Sequence, residues 1–256
     1  MLAIIAAMEE EVGSFRRRGR WVRDDSLGMR AWRAAAAGER PKLLAVTGVG
    51  RRAAEEGVER LLTVKGVDVV LSVGFAGGLA PGARRGDLTV AERVRPWPTR
   101  PDTNTASDER LTALADSCCT HRRLPVSRGT WLTVESAVVT VEEKQRLARE
   151  TGAVAAEMES YWLARAAAQA GVPFLGVRVV LDDARSEVPE MVMDWAGPAS
   201  AVTIIGRLAR NPLGLPALIS LARDMALARR NLTRFLEAFV VAYAKLPEVT
   251  RAAARE

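Results

Sequence analysis

Residues 155–183 constrain the fold more than any other stretch of the chain. Glu157 and Glu159 open a run in which Met158, Leu163, Ala166, Ala167 and Ala170 recur at helical spacing. Gly171 and Pro173 stop that run. Phe174 to Leu181 then reads as an apolar strand that ends in Asp182 and Asp183. A strand without polar alternation must be covered on both faces, which indicates an α/β sheet with helices on either side. Ligands of such sheets collect at the carboxyl ends of strands. Acids at a strand tip beside an acidic helix start therefore mark a candidate reaction centre. The same residues also suit a plainer role, with Glu157 and Glu159 answering the helix dipole and the aspartates in a solvated turn.

The rest of the chain repeats the alternation. Strands are expected at residues 1–7, 42–47, 67–73, 87–90 and 153–156, and helices at 51–64, 109–118 and 141–150. Glycine-rich turns are expected at 48–50 and 74–78, and the longest loop at 95–108, where Pro96 and Pro98 bracket Trp97. With no repeat or low-complexity linker, residues 1–198 read as one domain. Beyond an irregular stretch at 186–198, two helices are expected at 199–210 and 215–244, parted by Asn211 and Pro212. In the second, Leu218, Leu221, Met225, Ala228, Leu232, Phe235, Phe239 and Ala242 form an apolar stripe. Residues 199–256 thus form a basic amphipathic extension packed on the domain.

Charge narrows the partners. The chain of 256 residues carries a net charge of +6, and its pI is about 10.0. Five of those six charges fall between Thr203 and Leu246, so the body is nearly neutral. No aromatic-basic platform or groove-reading motif accompanies them, and nucleic acid is not expected as a partner. Cys118 and Cys119 are adjacent with His121 nearby, which completes neither a disulfide framework nor a metal site. The first apolar run meets acid at Glu9 without a basic leader, which is unlike a signal peptide. No uncharged run approaches the ~18–20 residues of a spanning helix. A cytoplasmic protein is expected, with peripheral contact at the inner membrane face open to the basic tail.

Five segments lie in the order found in the nucleoside phosphorylase-I superfamily, which the chain resembles from Met1 to about Ala184. They are AAMEEEV (from Ala6), TGVGRRAA (from Thr47), SVGFAGGLAPGARRGDLTV (from Ser72), AAEMES (from Ala155) and VPFLGVRVVLDDA (from Val172). TVEEKQRLARETGAVAAEMES and LARNPLGLPALISLARD resemble the hopanoid-associated phosphorylases in particular. The resemblance implies a three-layer αβα phosphorylase/hydrolase-like fold with a central mixed sheet, to which this chain adds C-terminal helices. It also implies cleavage of a purine N-glycosidic bond without a cofactor or metal, in a homo-oligomer. The substrate it implies is a small-molecule or lipid-linked adenine nucleoside, with phosphorolysis of adenosylhopane as the leading expectation. A hydrolytic methylthioadenosine/S-adenosylhomocysteine-type nucleosidase is the alternative, and a non-catalytic nucleotide or nucleic-acid binding protein the distant one. Phosphate would then be the co-substrate.

The resemblance also assigns roles. Asp182 matches the acid that protonates or hydrogen-bonds purine N7, and Asp183 is its charged neighbour. An exposed aspartic acid is protonated only about 0.1% of the time at pH 7, and burial can raise its pKa by ~3–5 units. Val179, Val180 and Leu181 are suitable neighbours for that shift. Glu159 matches the glutamate that holds both ribose hydroxyls, and Met158 the methionine packed on the ribose. Glu11 matches the acid that activates water in hydrolytic nucleosidases. Gly50, Arg51, Gly74 and Phe75 are assigned to the phosphate or nucleophile region, where Arg52, Arg84 and Arg85 are also available. Ala76, Gly77, Ser136 and Glu157 are assigned to the base. Two departures weaken phosphorolysis: Ser72 stands where many phosphorylases have a phosphate-binding arginine, and Phe75 replaces a serine. The aromatic that stacks on adenine in the nucleosidases is missing, and Trp131, Phe75 or Tyr161 are its candidate substitutes.

Overall fold

The computed structural model describes residues 1–35, 40–98, 105–187 and 215–246, with side chains in the last helix described from Ser220. The irregular stretch expected at 186–198, the helix expected at 199–210 and the centre of the 95–108 loop lie wholly or largely outside these residues.

Ten strands make one mixed sheet. β1 (Leu2–Ala6) pairs in parallel with β4 (Lys42–Val46) and β5 (Val69–Gly78). An edge is added by β3 (Arg30–Ala34) and β2 (Val22–Arg23). On the other side of β5 the sheet closes on itself. β10 (Phe174–Asp182) lies between β5 and β6 (Leu88–Pro96). β6 also pairs with the short β7 (Thr105–Ala106) and with β8 (Val126–Thr133). β8 pairs with β9 (Ala155–Glu157), which returns to Gly77 and Gly78 of β5.

Strand residues divide between two cores by the two-residue period of the backbone. Leu2, Ile4 and Ala6 face one, with Leu175, Val177 and Val179. Ala3 and Ile5 face the other, with Val70 and Phe174. The second core is roofed by α2 (Arg51–Leu62) and α5 (Ser160–Gln169), which supply Val58, Leu61, Leu163 and Ala167. The first is roofed by α1 (Glu9–Arg18), α3 (Glu109–His121) and α6 (Leu215–Ala244). Helices on both faces give the expected three layers.

The tail helix is part of the core. Met225, Ala228, Leu232, Phe235 and Phe239 of α6 are buried, as its apolar stripe requires. The Phe235 and Phe239 rings lie 5.4 Å apart.

Several elements differ from the sequence expectation. Residues 74–78 are the second half of β5, held extended because β10 and β9 both pair with them. α1 has few apolar residues to reveal it, only Val12 and Phe15 being buried, yet it begins with three glutamates and ends with three arginines, a pattern that suits the helix dipole. β8 went unread because its first half, Val126 to Thr130, is polar and only half covered. α4 (Val141–Thr151) starts at Thr140, whose side chain accepts from the Glu143 N–H, and ends at Gly152 in the left-handed region.

Candidate active site

The carboxyl ends of β1, β4, β9 and β10 converge around the middle of β5, and each delivers one group. From β1 the chain turns through Ala7 and Met8 into α1, which places Glu11 in the interior. One Glu11 oxygen accepts from the Ala7 and Met8 N–H groups at 3.0 and 2.9 Å. The other accepts from the Phe75 N–H on β5 at 2.9 Å. Gly74 permits this approach, since a Cβ there would lie 2.3 Å from that oxygen. Gly74→Ala therefore should cost about 1–3 kcal/mol, as overpacked sites do. Denaturant melts measure that cost.

From β4 the chain passes through Gly50, at φ +88, to start α2. That backbone suits glycine, and it aims the Gly50 N–H at Glu159 Oε1, 2.8 Å away. From β9 come Glu157, Met158 and Glu159. Glu157 and Arg178 form a buried ion pair at 2.8 Å. Arg178 also donates to Ser72 Oγ and Ser160 Oγ, both at 3.0 Å. Glu157 further accepts from the Thr133 hydroxyl and from the Ser160 and Glu159 N–H groups.

Three carboxylates thus share one guanidinium. Burial pushes the Glu159 carboxyl up to about 8, and repulsion from Glu157 adds to it, against the attraction of Arg178 and the Gly50 N–H. Burial likewise raises Glu11, opposed by Arg178 and by its backbone donors.

Asp182 closes the group at the tip of β10, in register with Gly77. Its side chain is 19% exposed and ion-paired with Lys144, which is fully buried. Burial raises the Asp182 carboxyl, while Lys144 and Arg85 pull it back and Asp183 pushes it up further. Asp183 is itself held below the usual range. Its partial burial is outweighed by the Ser186 hydroxyl and Arg185 N–H it accepts from, with Arg85 and Lys144 nearby.

The sequence and the fold have known counterparts. A family model described as "Phosphorylase superfamily" matches residues 1–204. The chain belongs to the phosphorylase superfamily. Among relatives in this superfamily, a 5'-methylthioadenosine/S-adenosylhomocysteine nucleosidase of Actinobacillus succinogenes is 29% identical over 185 residues, covering 65% of this chain and 80% of that one. Two solved structures share the phosphorylase-superfamily fold at low identity. Futalosine hydrolase of Helicobacter pylori has a TM-score of 0.74 and 19% identity, covering 94% of this chain and 97% of its own. The methylthioadenosine/S-adenosylhomocysteine nucleosidase of Neisseria meningitidis, in complex with methylthio-immucillin-A, has a TM-score of 0.72 and 22% identity, covering 94% and 98%.

Glu11, Gly74 and Phe75 are drawn together by direct contacts, and so are Gly50 and Glu159. Asp182 reaches Gly77 of β5, where a Cβ would lie 3.4 Å from its Oδ2 and 3.7 Å from its Oδ1. Met158 is partly buried, packed against the small apolar cluster that includes Leu132 and Val138. Ala76 is buried in the sheet.

Other expectations are corrected. The Glu157 carboxylate, assigned to the base by the resemblance, is taken up by Arg178, Thr133 and two backbone N–H groups. Ser136 is exposed in the loop after β8. Arg51 pairs with Glu55 and lies 4.1 Å from the Trp162 ring centre, so it belongs to an outer face. Arg52 pairs with Glu56 in solvent, and Arg85 pairs with Asp183 and Asp224. Arg84 is exposed. The glycine segments expected to offer N–H groups to phosphate offer them to Glu159 and Glu11. Of the three aromatic candidates, Trp131 and Tyr161 are core residues, and Phe75 is the one left partly open.

Lys144 was missed, although a signal existed. It shares the buried face of α4 with Leu147, three residues on, where an apolar side chain belongs. A lysine on such a face needs a buried partner.

Proposed function

We propose that this protein hydrolyses the N-glycosidic bond of an adenine nucleoside, with water as the nucleophile. One observation carries the choice of water: the Phe75 N–H, which could cradle an anion, is bonded to the protein's own Glu11 carboxylate. A phosphate placed there would meet Glu11 and Glu159, with Arg178 already paired to Glu157. A carboxylate has about four acceptor sites, and the backbone fills three at Glu11. The fourth serves a water.

In this reading Glu159 grips the ribose 2′- and 3′-hydroxyls and Phe75 packs on the substrate. The C1′–N9 bond breaks with its electron pair leaving on the base. Asp182 gives its proton to N7, the water oxygen bonds to C1′, and Glu11 takes the water proton. A carboxylate whose hold on a proton is strengthened by burial is suited to that task. The names and ligands of the relatives support an adenine base.

For the 5′ group, the hopanoid-associated stretches support adenosylhopane. Such a substrate would be met at a membrane. Arg223 and Arg230 on the outward side of α6, with Leu227 41% exposed between them, support contact with an anionic surface. The protein is expected to float with phosphatidylglycerol vesicles, and an R223E/R230E variant to remain in solution. Equal flotation of both would remove α6 as the contact.

The nucleophile is tested by adenine release from methylthioadenosine and adenosylhopane with and without phosphate. The expected result is an unchanged rate and a free sugar. A requirement for phosphate, with a sugar 1-phosphate as product, would establish phosphorolysis instead.

A further inference from the structure

The Lys144–Asp182 pair has a geometry that a salt bridge formed only for stability would not need. Lys144 reaches the end of β10 from α4 with its side chain fully buried. Its Nζ donates to Asp182 Oδ2, to the Asp183 carbonyl at 3.2 Å and to the Ser186 carbonyl at 2.6 Å. An ammonium has three donors and no acceptor, so every proton is placed and the group is held as a cation. Among the described residues, Asp182 Oδ1 accepts no hydrogen bond, and Asp182 lies in register with Gly77 of β5. One oxygen of the acid is thus fixed to the protein and the other is left for a ligand.

We propose that Lys144 is a positioning residue for Asp182, holding Oδ2 so that Oδ1 faces the base, and serving as the counter-charge of the carboxylate left after proton transfer. This rests on the reading of Asp182 as the proton donor. Before the reaction Oδ1 carries the proton and Oδ2 accepts from Lys144. As the C1′–N9 bond breaks, the Oδ1–H bond breaks and its proton joins N7. Its electron pair remains on Asp182, and the new carboxylate lies against an ammonium that keeps all three of its own protons. Solvent then returns a proton to Oδ1. A neutral residue at 144 would leave the carboxylate half-buried with less compensation, and the acid would give up its proton less readily.

Three charged groups bear on Asp182: Lys144 from α4, Arg85 from the β5–β6 connection and Asp183 beside it. Of these, only Lys144 is fully buried. The test compares Lys144→Gln, which keeps donors to the carbonyls but loses the charge, with Lys144→Arg, which keeps the charge. Adenine release from the best wild-type substrate is followed across pH, alongside thermal melting.

Activity that needs a protonated Asp182 falls as pH rises through the pKa of that group. An opposite charge lowers a carboxyl pKa by about 1–3 units, so Lys144→Gln should move that alkaline limb upward by about the same amount. It should also lower the plateau of kcat/KM about 10–100-fold, within the range of general-acid effects. Lys144→Arg should keep the limb in place. A uniform loss at every pH with the limb unmoved, or a limb that moves equally in both variants, would overturn the positioning role. Wild-type protein that releases no adenine from any nucleoside would instead overturn the function on which the role rests.

Discussion

Asp182→Asn is expected to lower the rate of adenine release about 10²–10⁴-fold, the usual worth of a positioned general acid. Asparagine can still offer a hydrogen bond to N7 but has no proton to give up, so the leaving base must depart as an anion. The alkaline limb of the pH profile should vanish with the carboxyl that produces it. A second effect goes with the first. Lys144 is fully buried, and in the variant its ammonium keeps the Asp183 and Ser186 carbonyls and can bond the asparagine oxygen, but it loses its opposing charge. Breaking a buried ion pair by removing one partner costs up to about 3–5 kcal/mol, so the variant should also melt at a lower temperature. The double change Asp182→Asn with Lys144→Met should regain part of that stability without regaining activity. Wild-type turnover by Asp182→Asn would show that the acid lies elsewhere.

Glu159→Gln is expected to do the opposite to stability while still removing activity. The buried Glu159 carboxyl titrates at about 8, against 4.5 for an ordinary one. The folded protein therefore holds this proton at pH values where the unfolded chain has lost it. Wild-type stability contributed by this group is full below 4.5 and declines as pH rises to about 8. Glutamine does not titrate, and its Oε1 can still accept from the Gly50 N–H. Its advantage should be nil in acid, grow across that window and level off above it. At ~1.36 kcal/mol per unit the upper bound is of the order of 5 kcal/mol. Melting curves at acid, neutral and alkaline pH measure the gain. Activity should fall most at alkaline pH, where the wild-type group is ionised and a neutral amide cannot answer the positive charge developing on the ribose. A variant destabilised at alkaline pH would contradict the account of Glu159.

Much of this arrangement was legible from residue order. The strands that form the centre of the sheet are largely apolar, so β1, β4, β5 and β10 announce themselves. The acids at their carboxyl ends follow from the topology rule. The 30-residue stripe of α6 was equally plain. What stayed hidden depends on contacts between distant segments. The fate of Glu157 is set by Arg178 and Thr133, from two other strands. The glycine segments at 48–50 and 74–78 were correctly read as offering N–H groups, but the ligand they meet is a side chain 109 residues away in one case and 64 in the other. Lys144 was the one residue whose own position carried a warning, as a charge on the inward side of an amphipathic helix. β8 and the β2–β3 hairpin show no clear period, because one is half covered and the other lies at an edge where Val22 is exposed.

β10 is bonded along both flanks, to β5 on one side and β6 on the other. A ribbon gripped on two sides cannot slide, so in the proposed mechanism the place where the nucleobase is discharged is a fixed landmark of the molecule. Whatever hangs from the far end of the sugar must be accommodated by other parts of the chain. Divergence toward new substituents, bulky or small, can then proceed while the leaving-group machinery stays where it is.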